Sequence, residues 1–150
     1  MNHKNSSKLG VLIPGMGSVA STFICGVIAC NKGLSKPIGS MTQMGSIRLG
    51  KRTEDRNPLV KDFVPTVKME DLVFTGWDIN NENVYDIAVR SKVLEKELLE
   101  DLRPELQKIN VLKGVFDKEY VRRLSGDWIK SGENKLDLAE QVMSDIENFN

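Results

Sequence analysis

The chain has 150 residues, 40% hydrophobic and 28% charged, the balance of one modest globular domain rather than a disordered or fibrous chain. Lys and Arg number 21, as do Asp and Glu, so the formal net charge of +0 gives no overall pull toward nucleic acid. The charges are segregated, however: no acid precedes Glu54, while Lys4, Lys8, Lys32, Lys36, Arg48, Lys51 and Arg52 do, and a positive front end suits a phosphate-bearing ligand.

In chain order, residues 1–8 read as a polar, disordered tail. Leu9 to Pro14 is a short continuous apolar run, the pattern of a strand buried on both faces. Residues 18–31 follow as a helix that is apolar on most sides and hence expected to be sandwiched, with Gly33 just past its end. This apolar segment is too short to span a bilayer and is interrupted by Pro14, Gly15 and Gly17, so neither a membrane span nor a secretory signal is expected. Cys25 and Cys30 lie within it, five apart, with His3 the sole histidine; buried thiols in a reducing cytosol fit better than a metal site.

Residues 34–68 are rich in turn formers, and only Ser46 to Leu49 suggests a strand. Asp71 to Thr75 is a second buried strand, ending in Gly76-Trp77-Asp78, where Gly76 permits a turn. Asn80 or Asn81 can cap a helix from about Glu82 toward Leu102, which Pro104 ends or kinks. Asp117 can cap a short helix through Leu124, and Leu136 to Phe149 reads as a final amphipathic helix. Alternating strands and helices argue for an α/β fold with a parallel sheet and helices on both faces. With two good strands where about five or six are usual, the sheet is incomplete in this chain, which reads as the front of a longer protein.

The Val11–Thr22 stretch carries the chemistry. Gly15 can take the backbone angles that a sharp strand-to-helix turn demands. Gly17 has no side chain to keep a diphosphate from the main chain, and Ala20 lets the helix pack closely on the strand. Gly15-Met16-Gly17-Ser18-Val19-Ala20 thus fits the G-x-G-x-x-G/A dinucleotide fingerprint in its strand-to-helix context. A bare tight turn, or a methyltransferase or flavin site, would begin in the same way. The fingerprint asks for an acid about 20 residues on to hold the ribose hydroxyls, and none occurs there. Asp78, at the carboxyl end of the second strand, is the natural substitute; a helix cap is the plainer alternative for it.

Three segments go beyond a generic fingerprint. Gly39-Ser-Met-Thr-Gln-Met-Gly-Ser-Ile-Arg-Leu-Gly50, Asp71-Leu-Val-Phe-Thr-Gly-Trp-Asp-Ile-Asn80 and Arg90-Ser-Lys-Val-Leu94, with Leu102-Arg-Pro104 and Gly114-Val-Phe-Asp117 after them, resemble the N-terminal part of myo-inositol-1-phosphate synthases in order and spacing. The resemblance runs over nearly the whole chain from Leu9. Gly17–Ala20 and Val121–Trp128 depart from the family's usual wording, as a divergent prokaryotic member would.

The resemblance implies a Rossmann-type NAD-binding domain in an enzyme of inositol and phospholipid biosynthesis, cytoplasmic and homotetrameric. It also implies a redox-neutral conversion of glucose 6-phosphate: NAD oxidises one sugar carbon, the ketone acidifies its neighbour, an aldol step closes the ring, and the hydride returns. Carried over by position, Gly15, Met16, Gly17, Ser18, Val19 and Ala20 would cradle the pyrophosphate. Asp78 and Ile79 would lie beside the adenosine end, and Gly114 and Val115 would pass near the cofactor. The catalytic lysines and substrate-phosphate contacts would lie beyond position 150, so no catalytic or metal-binding residue is expected in this chain, and the piece alone would be inactive. A stand-alone nucleotide-binding module without catalysis, or another NAD-dependent dehydrogenase, are the competing expectations.

Overall fold

Strand β1 (Leu9–Pro14) feeds through a tight turn into helix α1 (Ser18–Asn31), with the bounds expected from the apolar runs. In the computed structural model, residues 8–117 and 119–149 are described. The tail expected to be disordered therefore lies, but for Lys8, outside the described residues. The chain divides into two units. One comprises residues 1–9 and 26–72, the other residues 10–25 and 73–150.

The first unit holds helices α2 (Met41–Met44) and α3 (Val60–Phe63) and single 3-10 turns at Arg52–Glu54 and Met69–Asp71. The strand suggested at Ser46–Leu49 is here only a pair of antiparallel bridges, Ser46 with Leu59 and Leu49 with Arg56. Gly50 (φ 77°) and Asp55 (φ 47°) turn the chain between them in the left-handed region. Gly33 (φ 72°) makes the expected turn past the end of α1.

The second unit carries a three-stranded parallel sheet in the order β1–β2–β3, with β2 at Leu72–Asp78 and β3 at Val111–Lys113. The β2–β3 register sets Gly76 against Val111, Trp77 against Leu112 and Asp78 against Lys113. Helices α4 (Val84–Ser91) and α5 (Lys96–Leu106) join β2 to β3, and α6 (Lys135–Glu147) follows. The core of this unit gathers Met16, Ala20 and Ile24 from the fingerprint turn and α1, Val84, Ile87 and Ala88 from α4, and Leu99, Leu102 and Leu106 from α5.

Several expectations are corrected. The single helix from Glu82 to Leu102 is two helices, because Lys92 adopts a left-handed conformation (φ 54°) and stops the first. The N-cap is Asn83, whose side chain accepts from Asp86 N–H at 3.0 Å, not Asn80 or Asn81. Of the two outcomes expected of Pro104, an end or a kink, the end does not occur, since α5 continues through Leu106. Asp117 caps turns rather than a helix, its Oδ1 accepting from Glu119 N–H at 2.9 Å. Gly76 lies buried inside β2 rather than in a turn. Nor is β1 buried on both faces: it sits at the sheet edge with Leu9, Gly10 and Pro14 exposed. Helix α1 buries Ala20, Ser21, Ile24, Cys25, Val27 and Ala29, and it leaves Val19 and Phe23 on an exposed strip, although the Phe23 ring meets Phe74 edge-on at 5.8 Å.

Helix α6 is anchored by a nearly buried polar cluster. Asp145 accepts from the Trp77 indole N–H at 2.7 Å and pairs with Lys130 Nζ at 2.9 Å. No side chain on α6 is buried, and Leu136, Met143 and Ile146 stay exposed.

Cys25 is fully buried, and burial pushes its thiol pKa up from 9.0 to about 11. The unfolded chain releases this proton near the ordinary value and the folded chain only two units higher. Stability resting on the neutral thiol is therefore full below pH 9.0 and lost as pH rises through about 11. The expected result is a denaturation midpoint that falls across that window, with Cys25 resisting alkylation at neutral pH until the fold opens. A midpoint flat across the window, or fast labelling of Cys25 in the native state, would contradict it.

Candidate functional site

The end of β1 and the start of α1 are tied directly to β2. The Gly15 N–H donates to the Trp77 carbonyl at 2.8 Å, which brings the glycine turn beside Asp78. The end of β2 is in turn held by the chain after β3. Gly114 N–H donates to the Asp78 carbonyl at 2.8 Å, and Trp128 N–H donates to the Ile79 carbonyl at 3.0 Å. Gly114 packs closely, since a Cβ there would stand 3.0 Å from the Asp78 carbonyl and the strand end would have to give by a few tenths of an ångström. These main-chain bonds fix the direction in which Asp78 leaves the sheet.

A cleft of about 490 Å³ opens at this end of the sheet. Six of the ten sequence-predicted site residues line it: Gly15, Gly17, Asp78, Ile79, Gly114 and Val115. The other four do not. Met16 and Ala20 are buried in the core, and Ser18 and Val19 are exposed outside the cleft lining. Their main-chain N–H groups remain relevant, because those of Ser18, Val19 and Ala20 precede the first intrahelical bond, Ser21 N–H to the Gly17 carbonyl at 3.0 Å. No acidic side chain occupies the first turn of α1 to satisfy them.

The two fingerprint glycines have different physical reasons. Gly15 needs a left-handed backbone (φ 93°), which a side chain would strain. Gly17 has no such conformation, and a Cβ built on it meets no atom within 4 Å. The fold therefore does not require glycine at position 17, and the open space beside it is what a diphosphate approaching the main chain needs. The residues present fit a dinucleotide on that ground.

The topology also accounts for the acid absent from the expected spacing. In the dinucleotide fold this acid stands at the end of the second strand, next to the first in the sheet. Here the second strand begins at Leu72, because residues 32–71 intervene after α1, and Asp78 closes it. Asp78 thus stands at that strand end, displaced in sequence but not in topology, as a candidate for this acid. Asp78 Oδ1 accepts from Asn80 N–H at 3.1 Å and from the Asn80 amide at 3.3 Å, an Asx turn that fixes the carboxylate.

Sequence reasoning gave no role to Arg90, which also lines the cleft. It belongs to the RSKVL segment and sits in the last turn of α4. Its guanidinium is forked onto Glu82, Nε to Oε1 at 3.1 Å and Nη2 to Oε2 at 2.6 Å. The Glu82 carboxylate, and after it the charge on Asp78, raise the Arg90 pKa above its ordinary value. Glu82 and Arg90 stand eight apart, one just before the Asn83 cap and the other in the last turn of α4. Among the described residues no group of three His, Cys, Asp or Glu side chains could hold a metal ion, and no helix is long and apolar enough to cross a membrane.

Comparison with known proteins gives one answer. The family model described as myo-inositol-1-phosphate synthase, an NAD-binding domain, matches residues 9–150. Inositol-3-phosphate synthase 1 of Bacteroides thetaiotaomicron is 39% identical over 145 residues, covering 96% of this chain and 33% of the relative. A probable inositol 3-phosphate synthase isozyme of Arabidopsis thaliana is 36% identical over 157 residues, covering 95% of this chain and 31% of its own length. The crystal structure of inositol-3-phosphate synthase from Caenorhabditis elegans superposes with a TM-score of 0.77 at 28% identity, over 95% of this chain and 32% of that one. The chain spans about a third of the length of these relatives. With the glycine turn, the Asp78 strand end and this match over all but the first eight residues together, the chain belongs to the myo-inositol-1-phosphate synthase family and carries its NAD-binding domain.

Proposed function

We propose that residues 9–150 form the NAD-holding N-terminal part of an inositol-3-phosphate synthase, which converts glucose 6-phosphate to myo-inositol phosphate. The observation that carries this reading is Gly17, a glycine the fold does not need, open to the cleft at the mouth of α1. The main-chain N–H groups of Gly17, Ser18, Val19 and Ala20 would bind the pyrophosphate, helped by the partial positive charge of the helix end. Met16 would contribute through its main chain alone, its side chain being core. Asp78 would accept from the ribose hydroxyls at the adenosine end. Ile79, Gly114 and Val115 would form the apolar floor beside it. Bound there, NAD supplies a hydride acceptor that must be retained until the hydride is given back within the same turnover. The work of this chain is accordingly retention and orientation; proton transfer and sugar binding fall to residues outside it. A cytoplasmic, homotetrameric full-length enzyme belongs to the same reading, and two cysteines that remain free thiols fit a reducing compartment.

The test is calorimetric titration of the full-length protein with NAD, followed by an assay of inositol phosphate release from glucose 6-phosphate. Tight binding with no product would refute the synthase assignment and keep the cofactor. Asp78→Ala is expected to weaken NAD by about 1.5–3 kcal/mol, the range for a hydrogen bond to a charged group. A wild-type dissociation constant in that variant would reduce Asp78 to the Asx-turn residue that closes β2.

A further inference from the structure

The cleft that Asp78 lines also holds a cation, Arg90, and the structure pairs it with a carboxylate. Among the described residues, Arg90 is the sole basic one lining the cleft, and Asp78 lines the same cleft. Where dinucleotide folds distinguish their cofactors, an acid at the end of the second strand accepts from the ribose 2′-hydroxyl of NAD, whereas a nearby arginine accommodates the 2′-phosphate of NADP. This site holds both, so their charge balance decides which cofactor enters.

Glu82 sets that balance. It stands just before the Asn83 cap of α4, does not line the cleft itself, and engages Arg90 through two parallel hydrogen bonds of 3.1 and 2.6 Å. Forked pairing of this kind uses the guanidinium's best geometry for an oxyanion, so the same face is not free for a phosphate. Lys113, the register partner of Asp78, is held over the Trp128 ring at 5.0 Å and is not among the lining residues. Asp78, Glu82 and Arg90 therefore sum to one negative charge, against which a phosphate monoester would bring nearly two more.

We propose that Glu82 determines the preference for NAD over NADP: by clamping Arg90 at the rim of the Gly17–Asp78 cleft, it neutralises the cation that a 2′-phosphate would need. The inference rests on the cofactor reading above. It goes beyond that reading in assigning cofactor discrimination to a residue outside the cleft.

The experiment is calorimetric titration of NAD and NADP into full-length wild-type protein, Glu82→Gln, Glu82→Ala and the double variant Glu82→Gln/Arg90→Met. The readout is the ratio of the two affinities. Wild type is expected to favour NAD by about 100-fold or more, as like-charge juxtaposition costs several kcal/mol. Releasing Arg90 should raise the NADP-to-NAD affinity ratio by about tenfold or more in both single variants, and the double variant should return it to near the wild-type value. The pair is at the surface, with Arg90 side chain 61% and Glu82 30% exposed, so the substitutions leave the core intact. Unchanged ratios in both single variants, with NAD still bound, would overturn the proposal. So would a gain that survives loss of Arg90. A wild-type protein that binds neither cofactor would instead defeat the cofactor reading on which the proposal stands.

Discussion

Gly17→Val in the full-length protein is expected to weaken NAD by about 100-fold or more while leaving a folded chain. Two main-chain N–H groups that bond a phosphate oxygen contribute about 1.5–3 kcal/mol each, and a branched side chain over them removes both. The cost to folding is much smaller. The position has no left-handed φ and no neighbour within 4 Å of a Cβ. What remains is the poorer N-cap, about 1 kcal/mol when glycine gives way to valine ahead of a helix. For a chain of this size that lowers the melting midpoint by about 2–4 °C. The two effects therefore separate in one set of measurements, calorimetric NAD titration and thermal unfolding. Unchanged NAD affinity would remove the α1 mouth from the site. A collapse of stability matching the loss of binding would mean that Gly17 serves the fold after all.

That separation bears on what the sequence could reveal. β1, the glycine turn and α1 were legible because their signals are local: an apolar run, two glycines, a long apolar helix with a glycine just beyond its end. β1, and the Val19–Phe23 strip of α1, are more exposed than their apolarity suggests, because apolarity reports what a segment would bury and not what lies against it. Val19 and Phe23 are as apolar as any core residue, yet they stay exposed. The break between α4 and α5 gave no sign, since Lys92 is neither glycine nor asparagine and the apolar spacing continues across it. β3 has three residues and offers no period to detect. The fingerprint places its acid about 20 residues past the turn. That spacing presumes a second strand directly after the helix, and residues 32–71 break the presumption. Asp78 is legible as a candidate from the strand end and the family resemblance, while the Glu82–Arg90 clamp, which ties the residue before the cap to the last turn of α4, needed the structure.

Gly76 carries the largest structural prediction, and it is the counterpart of Gly17. A Cβ at Gly76 would collide with the Ile13 main-chain carbonyl and stand 2.8 Å from the Met16 sulfur. Methionine can swing away; a carbonyl in the neighbouring strand cannot, because moving it means moving β1. Gly76→Ala is therefore expected to cost about 3 kcal/mol, the upper part of the range for overpacking a core, and about 6–12 °C in the melting midpoint. Binding should weaken, not vanish, and for a different reason than in Gly17→Val. The next residue, Trp77, accepts the Gly15 N–H, so a β2 strand pushed off β1 takes the glycine turn with it. If so, a stabilising ligand should recover part of the lost midpoint in Gly76→Ala, because NAD binds only the folded form and its binding offsets the unfolding equilibrium. It should recover none in Gly17→Val, where the chain is already folded and the site is filled by its own side chain. A Gly76→Ala protein that melts at the wild-type temperature would show that β1 and β2 do not approach as closely as the Gly15–Trp77 bond requires.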